Sequence, residues 1–455
     1  MPETSGSSSK DNPVVAKADV DTGRGRLKVT VTVEVDVPGL RVEEEQGAVP
    51  FPDETAAVAT PTSPQAVEGQ AGPATATTAT VSSQTATAAK PDNEPVVALG
   101  GGRKLPPLLF VTNQQRLSDA IGLAEATFVM NLVHDAGQRL LLVNGDDAEQ
   151  LAAIVHQQIK PETRGVVLIG GYGVVPAFRV DTLPVDAAEK GVRRRLDPDE
   201  FIVWSDDRYV DVDGDGLPEL PISRVPDARS HLVTVQALCG GTLSEVAGSG
   251  IRNTARPFAE AVAKRAAEQF PLAISHPTDS STFEAKLIGG PLTYLMLHGS
   301  DIDGTRMWGE DEAGRLVETV TVSDLPETVQ GTFFSGACWG ALIVSQIARR
   351  ATPGTAIADR VEAQSIALSI LSRGADAFVG ATGAHYSPRG NIPDRAAGPL
   401  HLAFFEAIKE GDSSALATWK AKQAYLAHVA TLTDAAQLAI ATKVLNEFTC
   451  LGLGW

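Results

Sequence analysis

Leu292-Thr293-Tyr294-Leu295-Met296-Leu297-His298-Gly299-Ser300 is an apolar run that stops at an imidazole followed by two small residues. A short run with no polar alternation reads as a strand buried on both faces, as in parallel sheets whose crossover helices cover both sides. In open α/β sheets, ligands and reactive groups collect at the carboxyl ends of the strands, where loops shape a crevice. His298 is therefore expected at the edge where chemistry is done. Forty positions later Thr332-Phe333-Phe334-Ser335-Gly336-Ala337-Cys338-Trp339-Gly340-Ala341 repeats the pattern with a thiol at its tip. That spacing is enough for a connection that returns the chain to a neighbouring parallel strand.

Outward from these two segments, short β-rich runs alternate with longer amphipathic stretches, the mark of βαβ units. Strands are predicted at Leu108–Val111, Leu140–Val143, Val166–Ile169, Leu292–Leu297, Thr332–Phe334 and Ala377–Val379, with a further one at Leu243–Ala247. Helices are predicted at Arg116–Ala136, Ala148–Gln158, His231–Cys239, Pro257–Gln269, Leu342–Arg349, Glu362–Ser372, Pro399–Glu410, Ser414–Val429 and Ala435–Phe448. The expected fold is α/β, a mostly parallel central sheet with helices on both faces. It divides into an amino-terminal subdomain over residues 104–240 and a catalytic subdomain over 241–455. Ahead of it, residues 1–23 are expected to be disordered. Residues 24–42 form an isolated strand with period-two alternation, and 43–103 form a linker rich in Ala, Thr and Pro that lacks apolar periodicity.

Composition bounds the function. The net charge is −18, and the short Arg193-Arg194-Arg195 run is the one basic cluster, so nucleic acid and anionic membranes are poor partners. No apolar stretch is long enough to span a bilayer. The three cysteines, Cys239, Cys338 and Cys450, have no spacing that suggests a zinc site or a disulfide framework, and the amino terminus has no signal-like run. The expectation is a cytoplasmic protein.

A His beside a Cys at one sheet edge can take the thiol proton and later hand it to a leaving amine. The oxyanion of acyl transfer needs backbone donors, for which Gly299 and Cys338 are the natural suppliers. A helix beginning just after Cys338 would further favour the thiolate.

Taken together these segments resemble the gingipain-type members of the caspase-like cysteine peptidases. His298-Gly299-Ser300 followed by Trp308-Gly309, Ala337-Cys338, and Gly380-Ala381-Thr382-Gly383-Ala384-His385-Tyr386 all fit that pattern. So do Ser205-Asp206-Asp207-Arg208-Tyr209 and Pro221-Ile222-Ser223-Arg224-Val225-Pro226, although Ser223 stands where Gly is usual. The likeness runs from about Val166 to Pro388. It implies a caspase-like sandwich, a His298–Cys338 dyad, a thioester acyl-enzyme and a basic P1 residue in a protein or peptide substrate. No cofactor is required for that chemistry. The family's acidic partner of the His has no clear match, the candidates being Glu245, Asp301 and Asp303.

A cationic P1 side chain needs a carboxylate, for which Asp206, Asp207 and Asp303 are candidates, and an acidic one needs Arg252 or Arg256. Tyr386 is a candidate pocket wall. The Arg193–Arg195 run reads as a self-cleavage site or an ordinary solvated loop, and the amino-terminal strand or linker as a partner-recruiting segment. Asp211, Asp213 and Asp215, at alternate positions with Gly214 and Gly216, read either as a structural calcium loop or as an acidic turn, since Ile222 stands at the twelfth position. Gly336-Ala337-Cys338-Trp339-Gly340 also fits the nucleophile elbow of a Cys-based α/β-hydrolase acting on esters or lactones, in which Asp376 with His385, His401 or His428 would complete the triad. A non-catalytic caspase-like interaction module is the third reading.

Overall fold

The structure is a computed structural model that describes the strands Val14–Asp21 and Arg26–Val33 and residues 97–241, 247–352, 355 and 357–455. The chain divides into two units, residues 1–82 and 83–455. In the first, β1 (Val14–Asp21) and β2 (Arg26–Val33) pair antiparallel, from Val14–Val33 to Asp21–Arg26. The strand expected within 24–42 therefore has a partner, which comes from the segment expected to be disordered. Residues 34–96, most of the expected linker, lie outside the described residues, as does Glu245.

The second unit is built on a ten-stranded sheet. Its early strands are β3 (Leu108–Thr112), β4 (Arg139–Leu142), β5 (Gly165–Ile169) and β8 (Ile222–Val225). Between β5 and β8 lies the antiparallel hairpin of β6 (Phe178–Asp181) and β7 (Ile202–Ser205). Then come β9 (Gly248–Asn253), β10 (Leu272–Ser275) and β11 (Leu292–Met296). The hairpin of β12 (Arg306–Glu310) and β13 (Leu316–Thr321) leads to β14 (Thr332–Ser335), β15 (Ala377–Ala381) and β16 (Phe448–Gly452). The order across the sheet is β10-β9-β11-β14-β15-β16-β8-β5-β3-β4.

Strands β10, β9, β11, β14 and β15 are mutually parallel, as are β8, β5, β3 and β4, and β16 lies between these blocks, antiparallel to β15. Successive side chains of a strand point to opposite faces. Every residue of β3, β5, β11, β14 and β15 is buried, so both faces are covered. The helices Phe258–Ala266, Gly398–Lys409 and Ser414–Val429 pack on one another as one group, and Leu123–Asp135, His231–Cys239 and Ile366–Ser372 as another. The fold is thus α/β with a mostly parallel central sheet and helices on both faces. No helix among the described residues is long and apolar enough to cross a membrane.

Candidate active site

The parallel pairing of β11 with β14 aligns Leu295 with Ser335. His298 and Cys338 each follow three residues after those partners, so both leave the sheet at the same edge, on adjoining strands. The tips are in close contact: a Cβ on Gly299 would overlap the Cys338 carbonyl oxygen. Glycine after the histidine is required by that approach.

Cys338 is 5 % exposed. Ahead of it the Ser335 hydroxyl accepts from the Ala337 N–H (3.2 Å) and curls the chain. After it Trp339 adopts a left-handed conformation, with φ at 51°. The Trp339 N–H donates to the Gly383 carbonyl (2.7 Å), and its indole N–H to Asp199 Oδ1 (3.0 Å). Main-chain atoms of His385 meet the sulfur, the N–H donating to Sγ at 3.3 Å and the carbonyl oxygen lying 3.5 Å away.

The helix expected at Leu342–Arg349 does not form. Ala341, Leu342, Ile343 and Val344 are all buried. The segment runs instead alongside residues 358–360, with Ser345 N–H on Ala358 O, Arg360 N–H on Ile343 O and a bridge between Val344 and Asp359. A helix dipole therefore does not act on Cys338, and the sulfur receives its backbone donor from the loop after β15.

His298 is oriented by a residue that the sequence reading missed. The β12–β13 hairpin folds over the tip of β11, where His298 and Trp308 exchange both main-chain hydrogen bonds (2.7 and 3.0 Å). Two residues after Trp308, Glu310 Oε2 lies 3.1 Å from His298 Nε2. Glu310 is 7 % exposed and takes a second hydrogen bond from Asn253 Nδ2 at the tip of β9 (3.4 Å). The bond from His298, together with the nearby positive charge of Arg389, holds its carboxyl down at about 2 despite burial. Gly309 allows this placement, since a Cβ there would overlap Ser275 at the end of β10. Asp301 and Asp303 take other partners. Asp301 pairs with Arg350 (3.0 Å), and Asp303 with Arg306 (2.9 Å) while accepting from Thr305.

The candidate substrate-binding residues separate into those beside Cys338 and those away from it. A shallow pocket next to the sulfur is lined by Gly299, Ser300, Asp303, Arg306, Trp339 and Arg360, among others, and Asp303 is its one acidic residue. Asp206 is instead enclosed with Arg224, a side chain 0 % exposed, in a two-point ion pair of 2.8 and 2.6 Å. Asp207 is buried against Lys422 (2.5 Å). A carboxylate neutralised inside the fold has no face to offer a substrate cation. Arg252 is held at two points by Glu260 (3.0 and 2.6 Å), and Arg256 Nε donates to Ser387. Tyr386 is buried and donates its hydroxyl to Asp197 (2.8 Å).

Asp211, Asp213 and Asp215 do come together, and Glu219 joins them, their ligand atoms within 4.8 Å of one another. The crowding contributes to a raised Glu219 carboxyl, although the partial burial of that group contributes more. Oxygen donors of this kind suit a hard divalent cation such as calcium.

The hydrolase elbow is not assembled. His385 touches the sulfur through its main chain, and its ring is turned into the core, Nδ1 on Glu447 (2.8 Å) and Nε2 on His401 (3.1 Å). His401 Nδ1 contacts the Tyr294 hydroxyl (2.8 Å). Asp376 precedes β15, at the opposite edge from Cys338, and pairs with Arg103. His428 lies against Tyr425, the rings tilted by 32° with centroids 5.4 Å apart. None of these four residues supplies an acid–base pair facing the sulfur.

No protein-family model matches the sequence, and no curated protein matches it significantly. Solved structures similar in fold include the following three. One is the Arg-specific cysteine proteinase gingipain R, with 12 % identity over 78 % of each chain and a TM-score of 0.49. The second is a complex of the pro- and mature domains of RgpB from Porphyromonas gingivalis, with 14 % identity over 76 % of this chain and 78 % of that one, also at 0.49. The third is described as a protease and is 14 % identical over 80 % and 78 %, at 0.46. At these scores the likeness carries no argument about chemistry, which must stand on the residues of this chain.

Proposed function

We propose that the chain is a cysteine endopeptidase in which Cys338 is the nucleophile and His298 the acid–base. The observation that carries this reading is the carboxylate–imidazole arrangement at the tip of β11, abutting the tip that bears Cys338. An ionised Glu310 accepts from the His298 Nε2–H, which fixes the tautomer with its lone pair on Nδ1. In this scheme Nδ1 takes the thiol proton as Sγ attacks the scissile carbonyl. It then returns that proton to the departing amine, leaving a thioester that water hydrolyses. The N–H groups of Gly299 and Cys338 are assigned to the developing oxyanion. Asp303 is the candidate for a basic P1 side chain, which would have to draw it from Arg306.

Two subordinate proposals accompany this one. Calcium would occupy Asp211, Asp213, Asp215 and Glu219 as a structural ion. Cleavage of the chain by itself would fall at Arg193–Arg195, a short exposed segment in which Arg194 is tied to Asp181 (2.6 Å). The test is a fluorogenic peptide library varied at P1, run on wild type, Cys338→Ala and Asp303→Asn, with and without calcium. Turnover that requires Cys338 and prefers Arg or Lys supports the reading, and turnover unaffected by Cys338→Ala rules it out.

A further inference from the structure

Behind Cys338 the core holds a chain of titratable groups for which the dyad has no use. The His385 side chain is 0 % exposed and its ring lies edge to edge and nearly coplanar with that of His401, with centroids 5.2 Å apart and planes 11° apart. Three contacts of 2.8 to 3.1 Å link Glu447, His385, His401 and Tyr294 in series. Burial pushes the His385 imidazole well below its ordinary range and that of His401 to about 3, so both rings are neutral.

A neutral imidazole has one N–H and one acceptor nitrogen, so the series has to run in one sense throughout. In one sense the Tyr294 O–H donates to His401 Nδ1, His401 Nε2–H to His385 Nε2, and His385 Nδ1–H to Glu447. In the other every bond is reversed, starting from a protonated Glu447, whose carboxyl burial raises. Both leave the His385 ring held at each nitrogen.

The far end of that ring's residue is what touches the sulfur. The neighbouring main chain is also fixed, since the Ala384 N–H donates to Asp199 Oδ2 (2.5 Å). We propose that His385 is a positioning residue for Cys338: its ring, locked in the core, sets its main chain so that the N–H donates to Sγ. This rests on the reading of Cys338 as the nucleophile. An N–H directed at sulfur favours the thiolate, and a carbonyl at 3.5 Å can accept from the thiol, so the sulfur keeps one orientation in both states. For transfer the S–H turns from the carbonyl to His298, which takes the proton as the bond breaks, and the bond from the N–H to the thiolate then strengthens.

The charged groups facing the ring are Glu447 and Lys443 from the helix Ala435–Glu447 and Arg256 from the turn before Phe258–Ala266, with His401 from Gly398–Lys409. Both cations oppose an imidazolium. The ring therefore stays neutral through the pH range in which a thiol titrates.

The experiment is the pH dependence of iodoacetamide alkylation at Cys338, followed by peptide mapping to separate it from Cys239 and Cys450, on the full chain. Wild type is compared with His385→Asn and Tyr294→Phe, and thermal melts run alongside. Loss of the ring's grip is expected to slow alkylation at neutral pH roughly tenfold in His385→Asn and move the midpoint upward, since one lost charge-assisted hydrogen bond is worth about a factor of ten. Tyr294→Phe is expected to act in the same direction, by about twofold. Packing alone would lower the melting temperature but leave the alkylation profile of the folded variants on that of wild type, and this result overturns the proposal. If His385→Asn does not fold, Tyr294→Phe decides by the same criterion. Because alkylation needs no turnover, a wild type that alkylates as expected and cleaves no peptide counts against the peptidase reading alone.

Discussion

Glu310 gives the site its direction. A carboxylate bonded to one imidazole nitrogen fixes which nitrogen can act as base, as in other acid–base–nucleophile sets. Glu310→Gln can present an amide N–H to His298 Nε2 and so favour the wrong tautomer. We expect kcat to fall on the order of a hundredfold with KM changed by less than about threefold, measured on any peptide the wild type cleaves. The pH sign follows from the depressed carboxyl. Glu310 contributes stability that is present above its ordinary range and is lost as pH falls toward about 2. The Glu310→Gln variant should therefore be less stable than wild type at neutral pH and converge with it near pH 2 in an acid-unfolding series. Gly299→Ala belongs at the same scale. Its added methyl would collide with the Cys338 carbonyl, separating the two tips and reducing kcat/KM by roughly a hundredfold or more.

At the scale of elements, the parts that could be read in advance were those whose burial is uniform. Strands β3, β5, β11, β14 and β15 were predicted within two residues because each is a compact apolar run, and Ala148–Gln158, His231–Cys239 and Ser414–Val429 were matched at both ends. Both the Ser230 and Ser413 hydroxyls cap their helices, as does the Asp147 carboxylate. The long helix expected at Arg116–Ala136 is broken at Gly122, where φ is 100°. The last helix ends at Glu447, one residue early, because Phe448 begins β16.

Strand β8 is absent from the periodicity-based strands, although Pro221–Pro226 enters through the family resemblance, because it carries Arg224, a charge that its tertiary partner Asp206 makes tolerable. Glu310 escaped for a related reason. The Trp308-Gly309 pair was noted, but the meaning of the next residue depends on a hairpin that folds back over β11, which no local periodicity encodes. For the same reason Asp206 and Asp207 looked available to substrate until Arg224 and Lys422 were brought against them by elements elsewhere in the chain.

For the molecule as a whole, one residue ties the ends of the second unit together. Arg103 bonds to Asp376, to the Gly100 and Gly240 carbonyls and to the carbonyl of the last residue, Trp455. Asp376 is wholly buried and its carboxyl is pushed up to about 6 by that burial, Arg103 opposing the rise. Arg103→Ala would leave that charge without its partner and should cost about 3–5 kcal/mol, read from chemical denaturation at pH 8. A group raised in the folded state loses stability as pH climbs through its folded value. Without Arg103 that carboxyl rises further, so the deficit of Arg103→Ala should shrink as pH falls toward about 6 and level off below it, where Asp376 is protonated in both proteins. A deficit independent of pH would mean that packing at Arg103, and not its charge, holds the ends.

The site at the far edge of the sheet depends on this frame only for its rigidity. The chemistry proposed for it requires His298 and Cys338 to act as a pair, and a peptidyl acyloxymethyl ketone with Arg at P1, mapped by mass spectrometry, tests that most directly. The account predicts a label on Cys338 in the wild type that falls at least about tenfold in His298→Ala and Glu310→Gln, both still folded. A wild-type chain left unlabelled at Cys338, or one labelled equally well without His298, would contradict it.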